Sequence, residues 1–206
     1  SDRARDHVRG GSGFDGGVSL LRNQGYINGM HYDDNGSGGN KSRNDLMWSA
    51  DVIKVGLAGS IRDYVMTTHW DATLRLEQID YNGQPAGYVV DPQEVVNYVE
   101  NHDNWTLFDN NAFKLPTATS REDRARVQIL GAAINSFSQG VSYFHAGVDT
   151  LRSKSLDRNS YDSGDWFNRI DWSYRDNGYA AGLPPQGDNG GNWSVMGPLL
   201  GRLVRL

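Results

Sequence analysis

An α/β fold built on parallel strands is predicted for this chain of 206 residues, as part of a (β/α)8 TIM barrel, from three observations. First, two short runs rich in β-branched and aromatic residues, Val95 to Asn101 and Val141 to Phe144, each lead into polar side chains. Second, a helical pattern lies between them, with Val127, Leu130, Ile134 and Phe137 at three- and four-residue steps. Strand, helix, strand in that order is a βαβ unit, which implies parallel strands and a right-handed crossover. Third, two strands, two helices and three long loops fall short of a whole barrel, which needs roughly 250 residues. The expected architecture is one partial domain over residues 1–206, the later strands and helices of a barrel with long βα loops.

Taken in order, residues 1–44 are polar and glycine-rich and read mostly as loop. Asp45 to Val65 reads as a helix, because Leu46, Ala50, Ile53, Leu57, Ile61 and Val65 share a face and Asp45 is placed to cap it. Residues 66–94 are irregular, and Asp91-Pro92 punctuates the chain before the first strand. Residues 110–119 read as loop. Ser120 with Asp123 resembles a capping box opening the second helix, and Gly140 sits where a C′ glycine belongs. Residues 147–192 are again loop-rich, and Pro198–Leu206 reads as the start of another helix. Parallel strands put their carboxyl ends on one side. The polar clusters after Asn101 and after Phe144 are therefore expected on a shared rim, where barrel active sites lie.

Composition narrows the function classes. A net charge of −5 argues against a nucleic-acid partner, since phosphate binding wants a basic face. No apolar run approaches the roughly 20 residues of a membrane span, and no signal peptide is visible, so the compartment stays open. The absence of cysteine removes disulfides and thiolate metal sites. Six Trp, ten Tyr and six Phe sit among many Gly, Asn and Asp residues. That mixture suits either a loop-rich surface or a sugar site, where aromatic faces stack on pyranose C–H faces.

Two constellations carry candidate chemistry. Asn101-His102-Asp103-Asn104 follows a strand and has three readings: a turn cap, a metal cluster or a sugar clamp. The metal reading lacks the upstream Asp-x-His and the downstream histidine pairs that a dinuclear centre requires. The second constellation runs from Leu151-Arg152-Ser153-Lys154-Ser155 to Asn159-Ser160-Tyr161-Asp162-Ser163-Gly164-Asp165-Trp166-Phe167-Asn168. Its alternation of aromatic and carboxylate groups suits a saccharide. A calcium loop from Asp157, Asn159 and Asp162 lacks the spacing and final Glu of an EF-hand, so structural calcium is not supported and no cofactor is required.

These segments, in this order, resemble the α-amylase superfamily of glycoside hydrolases, and more narrowly its pullulanase and limit-dextrinase debranching branch. Asn101-His102-Asp103 matches the end of the superfamily's fourth motif. Glu77-Ile79-Asp80-Tyr81-Asn82-Gly83, the Leu151–Ser155 run and the Ser160–Asn168 run resemble that branch, as do Ser1-Asp2-Arg3-Ala4-Arg5-Asp6 and Arg9-Gly10-Gly11. The resemblance implies the C-terminal half of a catalytic barrel and retaining hydrolysis of α-1,6-glucosidic bonds. It implies an α-glucan substrate, with Asp103 as transition-state stabiliser. It places His102, Asn104, Asp165, Trp166 and Asn168 against the substrate. Nucleophile and acid/base are not found: Glu77, Glu94 and Glu100 lie outside the family's acid/base motif, and the missing remainder of the barrel is the expected partner. Trp105 stands where the branch carries a polar residue, and reads as a stacking wall or as outward packing. The alternatives are a non-catalytic glucan-binding piece and another α-amylase-type activity.

Overall fold

A computed structural model describes residues 1–182, so the helix expected at Pro198–Leu206 lies outside the described residues. Helices α1 (Asp2–Arg9) and α2 (Val18–Arg22) stand where the sequence predicts mostly loop. α1 has no apolar periodicity to betray it, since only Ala4 and Val8 are apolar. Its inward face is built partly of arginine. Arg9 is buried and donates to the carbonyl oxygens of Val99 (3.4 Å) and Trp105 (3.0 Å), its stem filling the space an aliphatic side chain would take.

Helix α3 (Arg43–Leu57) opens on a complete capping box. Asp45 N–H donates to Ser42 Oγ (3.1 Å) and Ser42 N–H to the Asp45 carboxylate (2.8 Å). The predicted continuation to Val65 does not occur. Gly59 and Ser60 take φ of 72° and 54°, which turns the chain out of the helix. Two small antiparallel hairpins follow in the stretch read as irregular: β1 (Val65–Thr67) with β2 (Thr73–Arg75), and β3 (Asp80–Tyr81) with β4 (Gln84–Pro85).

β5 (Val96–Asn97) and β6 (Val141–Ser142) pair in parallel, Val96 opposite Val141 and Asn97 opposite Ser142. The βαβ order therefore gives the expected parallel pair, with strands shorter than the sequence runs. Between them lie α4 (Leu107–Lys114) and α5 (Arg121–Ser136). α4 corrects the loop expected over 110–119. Thr106 Oγ1 caps it by accepting from Asp109 N–H (3.1 Å), and its buried face includes Asp109, Asn110, Asn111 and Lys114, so no apolar stripe marks it. α5 starts at Ser120 as expected, but it ends at Ser136, before Gly140. Gly140, at φ 100°, is needed for another reason: a Cβ there would lie 2.6 Å from the Pro92 carbonyl oxygen. A short helix, α6 (Asp165–Asn168), ends the described segment's regular structure.

The result is a mixed α/β fold with few strands. Each sheet is two-stranded among the described residues, and these strands do not close a barrel. Burial is split among three small clusters, one around Trp105 and Phe113, one around Ile27, Ile53 and Leu107, and one around Leu76 and Ile79. Among the described residues no helix is long and apolar enough to cross a membrane.

Candidate functional site

The chain leaves β5 through Val99 and Glu100 and turns sharply before Thr106 caps α4. Asn101 starts the turn by accepting from Asp103 N–H at 2.9 Å through its side-chain oxygen, as Asx turns do. Asn104, at φ 60°, completes it. The Asn104 amide lies over Gly13, where a Cβ would come within 2.8 Å, so a larger residue at 13 would push the Asn104 side chain aside. The turn presents His102 and Asp103 outward, with side chains 78% and 72% exposed, and His102 Nε2 lies 3.7 Å from Asp103 Oδ1. At that exposure the pair is worth little to stability. These two side chains are offered to solvent or to a ligand.

What lies beneath the turn is dry and heavily bonded. Buried Glu100 accepts from Leu107 N–H, and its other oxygen lies 3.1 Å from His145 Nδ1. Arg152 Nη1 stands 3.0 Å from His145 Nε2 and can only donate. Nε2 is thus the acceptor, and the proton on Nδ1 points at Glu100. Glu100 follows β5 and His145 follows β6. This bond therefore joins the carboxyl ends of the two parallel strands, which is the shared rim the sequence predicts.

The Leu151–Ser155 run ties that rim to the second constellation. Lys154, buried, donates through Nζ to the His102 carbonyl oxygen at 3.0 Å. Its backbone N–H and the Ser153 hydroxyl both donate to the Asp109 carboxylate on α4. Burial pushes the Asp109 carboxyl up to about 6 against these bonds, and burial also lowers the Lys154 ammonium. Arg152 Nη2 donates to the Asn168 carbonyl oxygen at 2.5 Å. One buried strip thus holds the backbone of both segments.

Asp165 and Trp166 open α6 and face outward. Arg169 lies 5.8 Å from the Trp166 ring centroid. Asn168 is spent inside the turn: its amide accepts from the Ser160 hydroxyl (2.8 Å) and donates to the Ser160 carbonyl oxygen (2.5 Å). The Asp157 carboxylate is likewise committed, to Asn159 N–H and the Ser163 hydroxyl. Trp105 is neither a stacking wall nor outward packing. It is buried, edge-on to Phe113 at 4.9 Å, because the chain must re-enter the core to start α4.

Glu77 pairs with Arg75 (3.3 Å) and Glu94 caps Val90 N–H (2.9 Å), so with Glu100 all three glutamates have structural partners. A polar cavity of about 400 Å³ between α1, α3 and the β3–β4 turn is lined by Asp6, Asp15, Trp48 and Tyr81; a more apolar one of about 260 Å³ lies against α4 and α5. Neither is lined by His102, Asp103, Asn104, Asp165, Trp166 or Asn168. The structure ties the two predicted segments together through side chain to backbone bonds, Lys154 to the His102 carbonyl and Arg152 to the Asn168 carbonyl. Sequence reasoning missed Asp109 and His145. Only the position of His145 after β6, mirroring Glu100 after β5, could have flagged it.

No protein-family profile matches the chain. Among characterised proteins it is 42% identical over 204 residues to the pullulanase of Klebsiella aerogenes, covering 95% of this chain and 18% of that protein. It is also 42% identical to the chloroplastic pullulanase 1 of Arabidopsis thaliana, covering 97% of this chain and 21% of that protein. Klebsiella pneumoniae pullulanase, solved in complex with maltotriose, superposes with a TM-score of 0.90 at 42% identity, covering 96% of this chain and 19% of that one. The chain thus spans about a fifth of the length of the relatives it matches.

Proposed function

The chain is homologous to one segment of the pullulanases, and from that kinship we propose that it supplies part of the glucan site of an α-1,6-debranching glycoside hydrolase. The carrying observation is 42% identity over 204 residues together with a TM-score of 0.90 to a pullulanase solved with maltotriose. In this reading the substrate is a branched α-glucan such as pullulan or a limit dextrin. Asp103 stabilises the positive charge that grows on the sugar ring in the oxocarbenium-like transition state. A carboxylate held on a fixed turn and aimed at developing charge is worth several kcal/mol. His102 and Asn104 hydrogen-bond hydroxyls of the same sugar, and Asp165 and Trp166 line the neighbouring position. Asn168 serves by fixing the turn that carries them. The reaction is retaining hydrolysis, which needs a nucleophile and an acid/base besides Asp103, and it needs no metal or cofactor.

The open sheet supports a partial barrel. Parallel pairs are normally covered on both faces. Here Val96 and Val141, direct neighbours across the pair, are 46% and 49% exposed. The remaining strands of a (β/α)8 barrel would cover that face and bring the other two catalytic carboxylates.

The test is release of maltotriose from pullulan. The chain alone should give no turnover, and the chain joined to the rest of a pullulanase-type barrel should hydrolyse pullulan. Asp103→Asn in the joined protein should lower kcat by at least a thousandfold, about 4 kcal/mol of barrier, with the fold intact by circular dichroism. Near-normal hydrolysis by that variant would remove Asp103 from the mechanism. Robust hydrolysis by the chain alone would place all the catalytic carboxylates within it.

A further inference from the structure

Trp48 and Trp70 form a parallel stack, ring centroids 5.6 Å apart and planes 24° from parallel. Trp48 sits on α3 and packs against the cluster of Val55, Leu76, Ile79 and Ala86. Trp70 lies on the turn between β1 and β2 and remains 44% exposed. His69 meets both rings edge-on, at 4.8 Å from Trp70 and 6.4 Å from Trp48.

The imidazole is fixed from two sides. Its Nδ1 lies 2.7 Å from the Asp51 carboxylate and its Nε2 lies 3.0 Å from the Asn44 side-chain oxygen. The same Asp51 oxygen accepts from His69 N–H at 2.8 Å. Asp51 is fully buried and its other oxygen pairs with Lys54 Nζ at 2.9 Å, so a carboxylate bonded on both oxygens holds the imidazole that packs edge-on against the two indoles. The outcome is a rigid, half-exposed aromatic face that orders little on binding.

That face adjoins groups suited to hydroxyls. Trp48 also lines the polar cavity of about 400 Å³, together with Lys41, Asp45, Ser49, Tyr81 and Asn82. Among the described residues, the Lys41 ammonium and the Asn82 side-chain amide have no hydrogen-bond partner, and both residues are exposed at the cavity.

We propose that the Trp48–Trp70 stack and this cavity form a second α-glucan contact surface, distinct from the Asp103 turn and without a catalytic role. The proposal rests on the glucan reading above. A glucan fits because the C–H face of one pyranose can stack on the exposed Trp70 indole while hydroxyls of the chain meet Asn82 and Lys41 in the cavity that Trp48 lines. A nucleotide fits worse, since Asp6, Asp15 and Asp45 line the cavity and would repel phosphate. An apolar protein segment fits worse, since the cavity beside the stack is lined with ionisable and hydroxyl side chains.

The experiment is a titration of the whole chain with maltotriose and with soluble pullulan, followed by NMR of the six indole N–H signals, each assigned by single Trp→Phe substitution. The Trp48 and Trp70 signals should shift with saturation. Trp70→Ala should weaken this binding at least tenfold, and Trp70→Tyr should retain most of it. Static Trp48 and Trp70 signals, or equal binding by the alanine and tyrosine variants and the parent, would overturn the proposal. The pullulan hydrolysis test reads Asp103 and not this stack, so failure of either reading leaves a distinct result.

Discussion

Lys154 reaches beneath the Asp103 turn to hold the His102 carbonyl oxygen at 3.0 Å from a buried position. An ammonium with so little water is costly on its own, and its pKa is lowered by burial. Its retention is explained by what it orders: a turn whose two outward side chains have no strong bond to each other. Lys154→Met keeps most of the stem and removes the donor. It should leave the His102 carbonyl unpaired at a cost of about 1–3 kcal/mol, partly offset by relief of the buried charge. Stability alone is thus an ambiguous readout. Amide exchange at Asp103 separates the possibilities, because a loosened turn releases the bond from Asp103 N–H to Asn101. Exchange should accelerate at Asp103 while α5 amides stay protected. Unchanged exchange there would mean the turn is rigid without Lys154. The motif residues of this turn are legible in the sequence because they carry chemistry. Lys154, Glu100 and His145 are not legible as its supports, because their partners are distant in the chain and appear only on folding.

At the scale of elements, legibility followed apolar periodicity. α5 and the β5–β6 pairing were readable because alternating or helical apolar positions and a capping Ser120 mark them. α1 and α4 were not, because their buried faces carry arginine, lysine and amides that find backbone partners: Arg9 donates to the Trp105 carbonyl oxygen and Asn110 to the Arg9 carbonyl oxygen. The β5–β6 pair has a consequence of its own. Val96 and Val141 are exposed neighbours, and Tyr98 meets Tyr143 edge-on at 6.3 Å further along. Buried Val to Thr substitutions introduce an unpaired hydroxyl and cost more than about 1 kcal/mol. If the face is open in this chain, Val96→Thr with Val141→Thr should cost under about 0.5 kcal/mol each, as surface changes do. The pair should also reduce self-association measured by light scattering, since an open apolar sheet invites contacts between copies. A loss above about 2 kcal/mol in urea unfolding would show that the chain covers this face itself.

Across the whole molecule, the buried ionisable groups set how stability responds to pH. His7, against Ser49 Oγ at 3.0 Å, is pushed down by burial to about 4 from an ordinary 6.5. Its contribution is present above pH 6.5 and lost as pH falls through about 4. Asp109 has the opposite sign. Raised to about 6 from 3.8, it contributes fully below 3.8 and loses that contribution as pH rises through about 6. The two oppose each other across the acid range, so no simple trend is expected there. Lys114 acts in a separate window. It is buried and donates through Nζ to the Asn23 carbonyl oxygen at 2.5 Å, and burial lowers it to about 7 from 10.5. Between those values the unfolded chain holds a proton that the folded chain has lost, so stability rises with pH. Starting at pH 8 leaves largely outside the window the Ser1 amino group, whose ordinary value is 8.0 and which is lowered to about 5. From pH 8 to 9.5 the unfolding free energy should rise by about 2 kcal/mol through Lys114 alone. Urea titrations at the two pH values should show a gain about 2 kcal/mol larger in the parent chain than in Lys114→Met, where the remaining gain comes from Lys154, also lowered by burial. Parallel gains in both proteins would assign the alkaline stabilisation to other groups and would mean that the Lys114 ammonium keeps its proton within the fold.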